Sequence, residues 1–186
     1  MKFDHFGLIA PLYDRTVKLR VPQALLDLLG PGAGGWALDI GGGTGQIAQF
    51  LQAGSEGVVV GDVSLPMLRL VSKKPGLDAL LGESEGLPFA DNTFERIIMV
   101  DALHHVTSQQ RTARELFRVL RPGGRLVIEE PDIRRFAVKL IALGEKVLLM
   151  RSHFLKQEHM QALFDGLPAR VRSQSAGHMV WVIVEK

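Results

Sequence analysis

Five short apolar runs recur along the first two thirds of the chain, separated by stretches with helical periodicity. The runs are continuous rather than alternating, which is typical of strands buried on both faces of a parallel sheet. They are WALDI at 36–40, GVVVGD at 57–62, DALLG at 78–82, RIIMVD at 96–101 and RLVIEE at 125–130. Strands that alternate with helices in this way predict a doubly wound, Rossmann-like α/β domain.

The clearest helical segment is SQQRTARELFRVL, residues 108–120. Ser108 is suited to cap its N-terminus, and Ala113 and Leu116 share one apolar face. The RPGG run at 121–124 should end this helix and turn the chain into the next strand.

The last part of the chain breaks the alternation of strands and helices. ARVRSQS at 169–175 and HMVWVIVEK at 178–186 both have the character of strands. Only Ala176 and Gly177 separate them, which is too short for a parallel crossover, so an antiparallel hairpin is expected. The predicted fold is therefore a mostly parallel seven-stranded sheet that ends in an antiparallel β-hairpin.

A length of 186 residues indicates one domain. Residues 133–164 should form two helices over the edge of the sheet. The expected division is an N-terminal lid or helical segment (1–35), a cofactor-binding core (36–132), a helical substrate-side segment (133–168) and the terminal hairpin (169–186).

Composition excludes several kinds of site. The chain has no cysteine, which rules out disulfides, thiolate zinc sites and cysteine nucleophiles. No metal site is expected, because a closed zinc site needs four ligands and no second His cluster is evident. No stretch approaches the ~20 apolar residues of a membrane span, and the N-terminus lacks a signal-peptide pattern. A cytoplasmic protein is therefore expected.

The formal net charge of +2 is unevenly distributed. Up to Gln110 there are 8 Lys and Arg against 12 Asp and Glu, and from Arg111 onwards 14 against 8. A basic C-terminal part suits an acidic substrate or an anionic surface, although such a charge excess is more often simply a solvated face.

The segment LDIGGGTGQIA at 38–48 places a glycine-rich loop at the end of the first strand. Its spacing also fits a dinucleotide-binding fingerprint, so the glycines alone indicate only a nucleotide-like ligand. Asp39 precedes the loop and would repel a pyrophosphate. The ammonium and sulfonium groups of S-adenosylmethionine would instead be attracted, by about 4 kcal/mol at ~4 Å and an effective dielectric near 20.

Two further acids follow at strand ends. Asp62 ends the second strand and is suited to accept both ribose hydroxyls, whether of NAD or of S-adenosylmethionine. Glu83 follows the third strand, where it either accepts a hydrogen bond from an adenine amino group or simply faces solvent.

Four motifs occur in order over about residues 36–132. They are LDIGGGTG, VVVGDVSLPML, GESEGLPFADNTFERIIMVDALHHV and LFRVLRPGGRLVIEEPD. In this order they resemble the class I S-adenosylmethionine-dependent methyltransferases that act on small molecules. FGLIAPLYDR, before the core, resembles the corresponding segment of quinone-biosynthesis C-methyltransferases and their relatives. That family's fold also ends in an antiparallel hairpin.

The resemblance implies S-adenosyl-L-methionine as the cofactor. The candidate cofactor-binding residues are Asp39, Gly41, Gly42, Gly43, Gly45, Asp62, Val63, Met67, Glu83, Ser84 and Asp101. Two of them depart from the family pattern, since the family more often has Asp at the place of Glu83 and a small or neutral residue at that of Asp101. The resemblance fades after Asp132, in the region that carries substrate choice in this family.

Asp101, His104 and His105 follow the fourth strand and are the candidate catalytic residues. Methyl transfer from a sulfonium depends mainly on alignment, which can supply about 7–11 kcal/mol. A base, worth about 10²–10⁴-fold in rate, is needed only if the nucleophile is protonated. We therefore expect catalysis by alignment, with the histidines either packing against the cofactor or acting as a base.

Candidate substrate-binding residues are Tyr13, as part of a lid, together with His105, Arg134 and His153. The two basic residues Arg134 and His153 would suit an acidic substrate. An apolar stripe in the same region belongs either to the core or to a site for a lipid-like substrate; it comprises Phe136, Leu140, Ile141, Val147 and Leu148.

Three other functions compete with that of a small-molecule methyltransferase. A protein that binds the cofactor without catalysis would carry the same motifs. An NAD(P)-dependent oxidoreductase is disfavoured by Asp39 and by the terminal hairpin. A nucleic-acid methyltransferase is disfavoured because the chain has no cysteine, a single tyrosine, and no Asn/Asp-Pro-Pro-aromatic motif after the fourth strand.

Overall fold

The computed structural model describes residues 23–135, residue 138 and residues 152–186. Its helices are α1 (Gln23–Leu29), α2 (Ala48–Leu51), α3 (Leu65–Val71), α4 (Gln109–Val119) and α5 (Gln157–Ala162), with a 3₁₀ helix at Leu103–His105. Its strands are β1 (Trp36–Ile40), β2 (Val58–Asp62), β3 (Leu77–Leu81), β4 (Phe94–Val100), β5 (Leu120–Pro131), β6 (Arg170–Ala176) and β7 (Met179–Glu185).

The seven strands form one sheet in the order β3-β2-β1-β4-β5-β7-β6. The first five strands pair in parallel, and β7 lies antiparallel between β5 and β6. This confirms the predicted doubly wound sheet with its terminal hairpin. The strand order reverses between β1 and β4, and ligands of open α/β sheets bind at such a point, beyond the carboxyl ends of the strands.

The hairpin turn lies one residue later than the sequence suggested. Ala176 pairs with Met179, so Gly177 and His178 form the two-residue turn. Gly177 has φ +61°, and the mirror-image turns that join antiparallel strands need such a left-handed residue.

The start of β5 also differs from the expectation. Leu120 closes α4 and already pairs with Phe94, and the next paired residues are Arg125 and Arg96. The helix thus ends directly before the RPGG run, as predicted, but residues 121–124 form a bulge inside β5 and not a separate turn before it. Gly123 adopts φ +75°, and its N–H donates to the Lys186 carbonyl at 2.8 Å.

Helices cover both faces of the sheet, which explains the continuous apolar runs. Ile97 belongs to the core on the face of α4 and α5, whereas the next residue, Ile98, belongs to the core on the face of α1, α2 and α3. Ser108 caps α4 as predicted, since its Oγ accepts from the Arg111 N–H at 3.3 Å. No helix in the described ranges is long and apolar enough to cross a membrane.

Two sequence-based predictions fall partly outside the described residues. Of the N-terminal segment, α1 and the chain up to β1 are described, and Tyr13 lies outside. Of the two helices expected in 133–164, α5 is described, and the apolar stripe from Phe136 to Leu148 lies outside.

Candidate functional site

The glycine loop joins β1 to α2 at the switch point of the sheet. Gly41, Gly43 and Gly45 have φ of +72°, +55° and +75°, a region that other residues rarely adopt. A Cβ atom at residue 41 would stand 2.4 Å from the Cβ of Ala102, so the loop packs against the segment after β4. A Cβ atom at residue 43 would meet nothing within 4 Å, which leaves the backbone there open to a ligand.

Asp39 lies beneath this loop and is 1% exposed. Its Oδ2 atom has no hydrogen-bond partner among the described residues. Burial, and next the nearby charge of Asp62, raise the pKa of Asp39 to about 7, and a hydrogen bond from the backbone of Ala48 partly offsets them. The site thus contains a buried acid that a cationic neighbour would stabilise in its ionised form.

Asp62 connects the glycine loop to the segment after β2. Its Oδ2 accepts from the Gly43 N–H at 2.9 Å, and its Oδ1 accepts from the Ser64 N–H at 2.8 Å. A carboxylate oxygen can accept more than one hydrogen bond, which is compatible with a ribose-binding role for Asp62.

An apolar surface flanks Asp62. Val63 is 70% exposed, and Leu81, the partner of Asp62 in the register of β2 and β3, is 56% exposed. Exposed apolar side chains beside a polar anchor suit a flat ring such as adenine. Met67, also a candidate, is buried in the core behind them. Leu81 is a further candidate that the sequence analysis did not name, although its place at the end of a strand beside Asp62 could have indicated it.

The two candidates after β3 differ in their surroundings. Glu83 is exposed, whereas Ser84 is buried. The Ser84 Oγ lies 2.9 Å from Thr112 Oγ1 on α4 and 3.3 Å from Glu85 Oε2. The hydroxyl of Ser84 is thus hydrogen-bonded to a side chain of α4.

At the end of β4, Asp101 adopts φ +51° and has an exposed side chain, whereas His104 is 2% exposed. His104 Nδ1 lies 2.5 Å from Glu130 Oε2 on β5, and its Nε2 lies 4.0 Å from Asp101 Oδ1. Glu130 Oε1 accepts the N–H groups of Ala102 and Leu103 at 3.0 and 2.7 Å. Sequence reasoning missed Glu130, which is 26 residues away from His104.

The segment 152–156 covers the two histidines. The ring of Phe154 stacks on His104 with 4.1 Å between centroids, and the His153 N–H donates to the His104 carbonyl at 2.7 Å. His105 lies against His104, with its Nδ1 3.4 Å from Ser152 Oγ. The segment thus contacts His104 through His153 and Phe154, and His105 through Ser152.

Arg134 pairs with Asp132. Its Nε and Nη2 donate to the two carboxylate oxygens at 2.8 and 2.9 Å. The hydrogen bond from Arg134 lowers the pKa of Asp132. A substrate carboxylate would have to compete with this bidentate pair.

Asp101, His104 and Glu130 each offer one potential metal-ligand atom, and these atoms lie within 4.8 Å of one another. Glu130 and His104 are hydrogen-bonded to each other, so a cation between them would have to replace that bond. The expectation of no metal site stays a prediction.

The chain is similar to known methyltransferases in sequence and in fold. Residues 38–128 match the family model described as a methyltransferase domain. The ubiquinone/menaquinone biosynthesis C-methyltransferase of Roseobacter denitrificans is 40% identical over 117 residues, which cover 58% of this chain and 47% of that protein. The demethylmenaquinone methyltransferase of Renibacterium salmoninarum is 34% identical over 134 residues, covering 67% of this chain and 56% of that one.

The chain spans about half the length of these curated relatives. A solved S-adenosylmethionine-dependent methyltransferase from Thermotoga maritima has the same fold, with a TM-score of 0.80, 21% identity and 97% of each chain covered. Residues 38–128 are therefore a methyltransferase domain, and the chain resembles the class I S-adenosylmethionine-dependent methyltransferases, with quinone-biosynthesis C-methyltransferases among its relatives.

Proposed function

We propose that the protein is an S-adenosylmethionine-dependent methyltransferase that acts on a small molecule. The observation that carries the proposal is the open glycine loop above the buried carboxyl group of Asp39, with Asp62 beside it. In this arrangement the loop would hold the methionine part of the cofactor, Asp62 the ribose, and Val63 and Leu81 the adenine ring.

The charge of the site supports this donor over a nicotinamide dinucleotide. Burial already makes ionisation of Asp39 unfavourable. A pyrophosphate above the loop would make it still more unfavourable, because a like charge disfavours the ionised form. A ligand with an ammonium and a sulfonium group would have the opposite effect, because an opposite charge favours the ionised form.

The cofactor would supply an activated methyl group, and the chain would supply position and exclusion of water. The 3₁₀ helix at Leu103–His105 and the covering segment 152–156 lie at the edge of the sheet where the acceptor would approach. Holding the acceptor in line with the methyl group can contribute about 7–11 kcal/mol.

The relatives' names direct the choice of acceptor. Two of them are named for quinone biosynthesis or for demethylmenaquinone, so quinone-like lipids come first in a screen, before carboxylates, phenols and amines. A cytoplasmic location and an acceptor other than nucleic acid belong to the same proposal.

Calorimetry with S-adenosylmethionine, S-adenosylhomocysteine, NAD⁺ and NADP⁺ tests the choice of cofactor, and mass spectrometry of the purified protein shows what it retains. We expect both S-adenosyl ligands to bind and neither dinucleotide to do so. Tight NAD⁺ binding without a response to the S-adenosyl ligands would overturn the proposal. Binding of the methyl donor without turnover across the acceptor screen would indicate a protein that only binds the cofactor.

A further inference from the structure

Glu130 holds His104 in one orientation. One carboxylate oxygen of Glu130, Oε1, accepts the backbone N–H groups of Ala102 and Leu103, which fixes the carboxylate at the end of β4. The other oxygen, Oε2, lies 2.5 Å from His104 Nδ1. Both side chains are nearly inaccessible, at 2% and 5% exposure, so this hydrogen bond is shielded from water.

We propose that His104 is the general base of methyl transfer and that Glu130 is its positioning residue. The acceptor would then be a nucleophile that carries a dissociable proton, such as a hydroxyl, a phenol or an acidic C–H group. This inference rests on the proposed methyltransferase function and names the class of acceptor for the same site.

The hydrogen bond determines which nitrogen of His104 can take up a proton. A carboxylate only accepts hydrogen bonds, so neutral His104 must carry its proton on Nδ1. Nε2 is then the basic atom, and it points towards Asp101, at the carboxyl end of β4. That end of the sheet also carries the glycine loop, which contacts the neighbouring Ala102 through Gly41.

The step balances in atoms and charge. The acceptor atom forms a bond to the methyl carbon while the electrons of the sulfur–methyl bond pass to sulfur, which becomes a neutral thioether. The proton of the acceptor moves to His104 Nε2, and the carboxylate of Glu130 balances the imidazolium that results. A positioned base of this kind contributes about 10²–10⁴-fold in rate.

The groups that face His104 come from several elements. Among the described residues, they include the titratable side chains of Asp101 at the end of β4, Glu130 on β5 and His105 on the 3₁₀ helix itself. Phe154, from the covering segment, stacks on the ring and is apolar. Glu130 makes the shortest of these polar contacts and therefore sets the tautomer.

The chain offers a matched control for Glu130. Glu129, the preceding residue, is also a buried glutamate of β5. Its side chain bonds Trp181 instead, accepting from the indole N–H at 2.5 Å, and Trp181 belongs to the core on the opposite face of the sheet. Glu129→Gln keeps an oxygen for the indole N–H and leaves both partners of the hydrogen bond between Glu130 and His104 in place.

The first experiment requires no acceptor. Nitrogen-15 NMR of histidine-labelled protein reports the tautomer of each imidazole, and loss of a signal in His104→Gln assigns it. We expect His104 to carry its proton on Nδ1 in the wild type and in Glu129→Gln. In Glu130→Gln the amide N–H faces Nδ1, which moves the proton to Nε2. A wild-type Nε2–H tautomer, or one unchanged in Glu130→Gln, would overturn the proposal.

The second experiment measures turnover with an acceptor from the screen. His104→Gln and Glu130→Gln should each lower kcat about 10²-fold or more and leave donor affinity unchanged. The double variant should be no worse than either single one, and both should lose the acidic limb of the pH–rate profile. Glu129→Gln should keep the wild-type rate and profile.

The outcomes separate the two proposals. If the wild-type protein does not bind the methyl donor, the methyltransferase function itself is contradicted. If Glu130→Gln and Glu129→Gln have the same kcat, only the role of Glu130 is contradicted. Loss of wild-type turnover on addition of a chelator, with recovery on adding Mg²⁺ or Mn²⁺, would show that the cluster holds a cation and would overturn the base assignment.

Discussion

The carboxyl group of Asp39 lies directly beneath Gly42, so that a Cβ atom at residue 42 would stand 2.6 Å from both Cγ and Oδ2 of Asp39. Val60 on β2 would be 2.8 Å away. The loop can therefore cover the acid only if residue 42 has no side chain.

Gly42→Ala tests this close approach. The added methyl group has to displace the loop from Asp39, and overpacking of this kind costs about 1–3 kcal/mol. We expect lower stability in urea and weaker binding of S-adenosylhomocysteine. Gly86→Ala is the control, because a Cβ atom there would meet nothing within 4 Å. Equal behaviour of the two variants would contradict the contact.

Asp39 should also make the free protein less stable as pH rises. Its pKa is raised from 3.8 to about 7, so the folded state binds more protons than the unfolded state between these values. The free energy of unfolding should fall from pH 4 to pH 7, by about 2–4 kcal/mol. Urea titrations at several pH values give the free energy of unfolding as a function of pH. Asp39→Asn should lose this decrease between pH 4 and pH 7, whereas Asp78→Asn, on the exposed edge strand, should retain it. An unchanged slope in Asp39→Asn would count against the burial cost.

Binding of the methyl donor should release a proton from Asp39. The cationic groups of the ligand favour the ionised carboxylate and lower its pKa in the complex. Affinity should therefore rise with pH up to about 7, the pKa of Asp39 in the free protein. Calorimetry at pH 6.5 in two buffers of different ionisation enthalpy measures the proton. The same heat in both buffers, or proton release that persists in Asp39→Asn, would contradict the assignment of the released proton to Asp39.

Asp62→Ala should weaken cofactor binding by about 2–4 kcal/mol, as for loss of charge-assisted hydrogen bonds. Because Asp62 also accepts from Gly43 and Ser64, part of this loss would come from the loop. A cycle with an S-adenosylhomocysteine analogue that lacks the 2′-hydroxyl separates the two contributions. If removal of the 2′-hydroxyl weakens binding to Asp62→Ala as much as it weakens binding to the wild type, the ribose is held elsewhere.

Arg96 should contribute to stability at the opposite end of the sheet. It is 5% exposed, and its Nη2 donates to the Leu51 and Ala53 carbonyls and to Ser55 Oγ. Arg96→Ala leaves these acceptors without their donor and should cost about 2–5 kcal/mol in urea unfolding. Arg69→Ala, on the exposed side of α3, should cost under ~0.5 kcal/mol. Similar values for the two variants would contradict this.

The sheet could be predicted from the sequence because strands buried on both faces appear as continuous apolar runs. Residues such as Ile97 and Ile98 are both apolar because helices cover each side. The bulge in β5 could not be predicted in this way, since RPGG is as suitable for a helix end as for an irregular strand. Which of the two it forms depends on the pairing of β5 with β4, and the local sequence does not specify that pairing.

The candidate site was predicted less completely than the fold. The glycine loop, Asp39 and Asp62 could be named as candidates from the sequence because they lie at strand ends. Glu129 and Glu130 are neighbours of identical type, and only the register of β5 against its neighbours sends one to Trp181 and the other to His104. Contacts between distant segments of this kind cannot be read from local pattern.

β7 occupies an interior position of the sheet although it follows every other described strand along the chain. While a ribosome is still making β6, the long strand β5 has β4 on one side and an open edge of unpaired backbone groups on the other. An apolar strand with an open edge readily pairs with other chains. Residues 179–185 cover this edge, so a chain that lacks them should expose β5 to pairing with other chains.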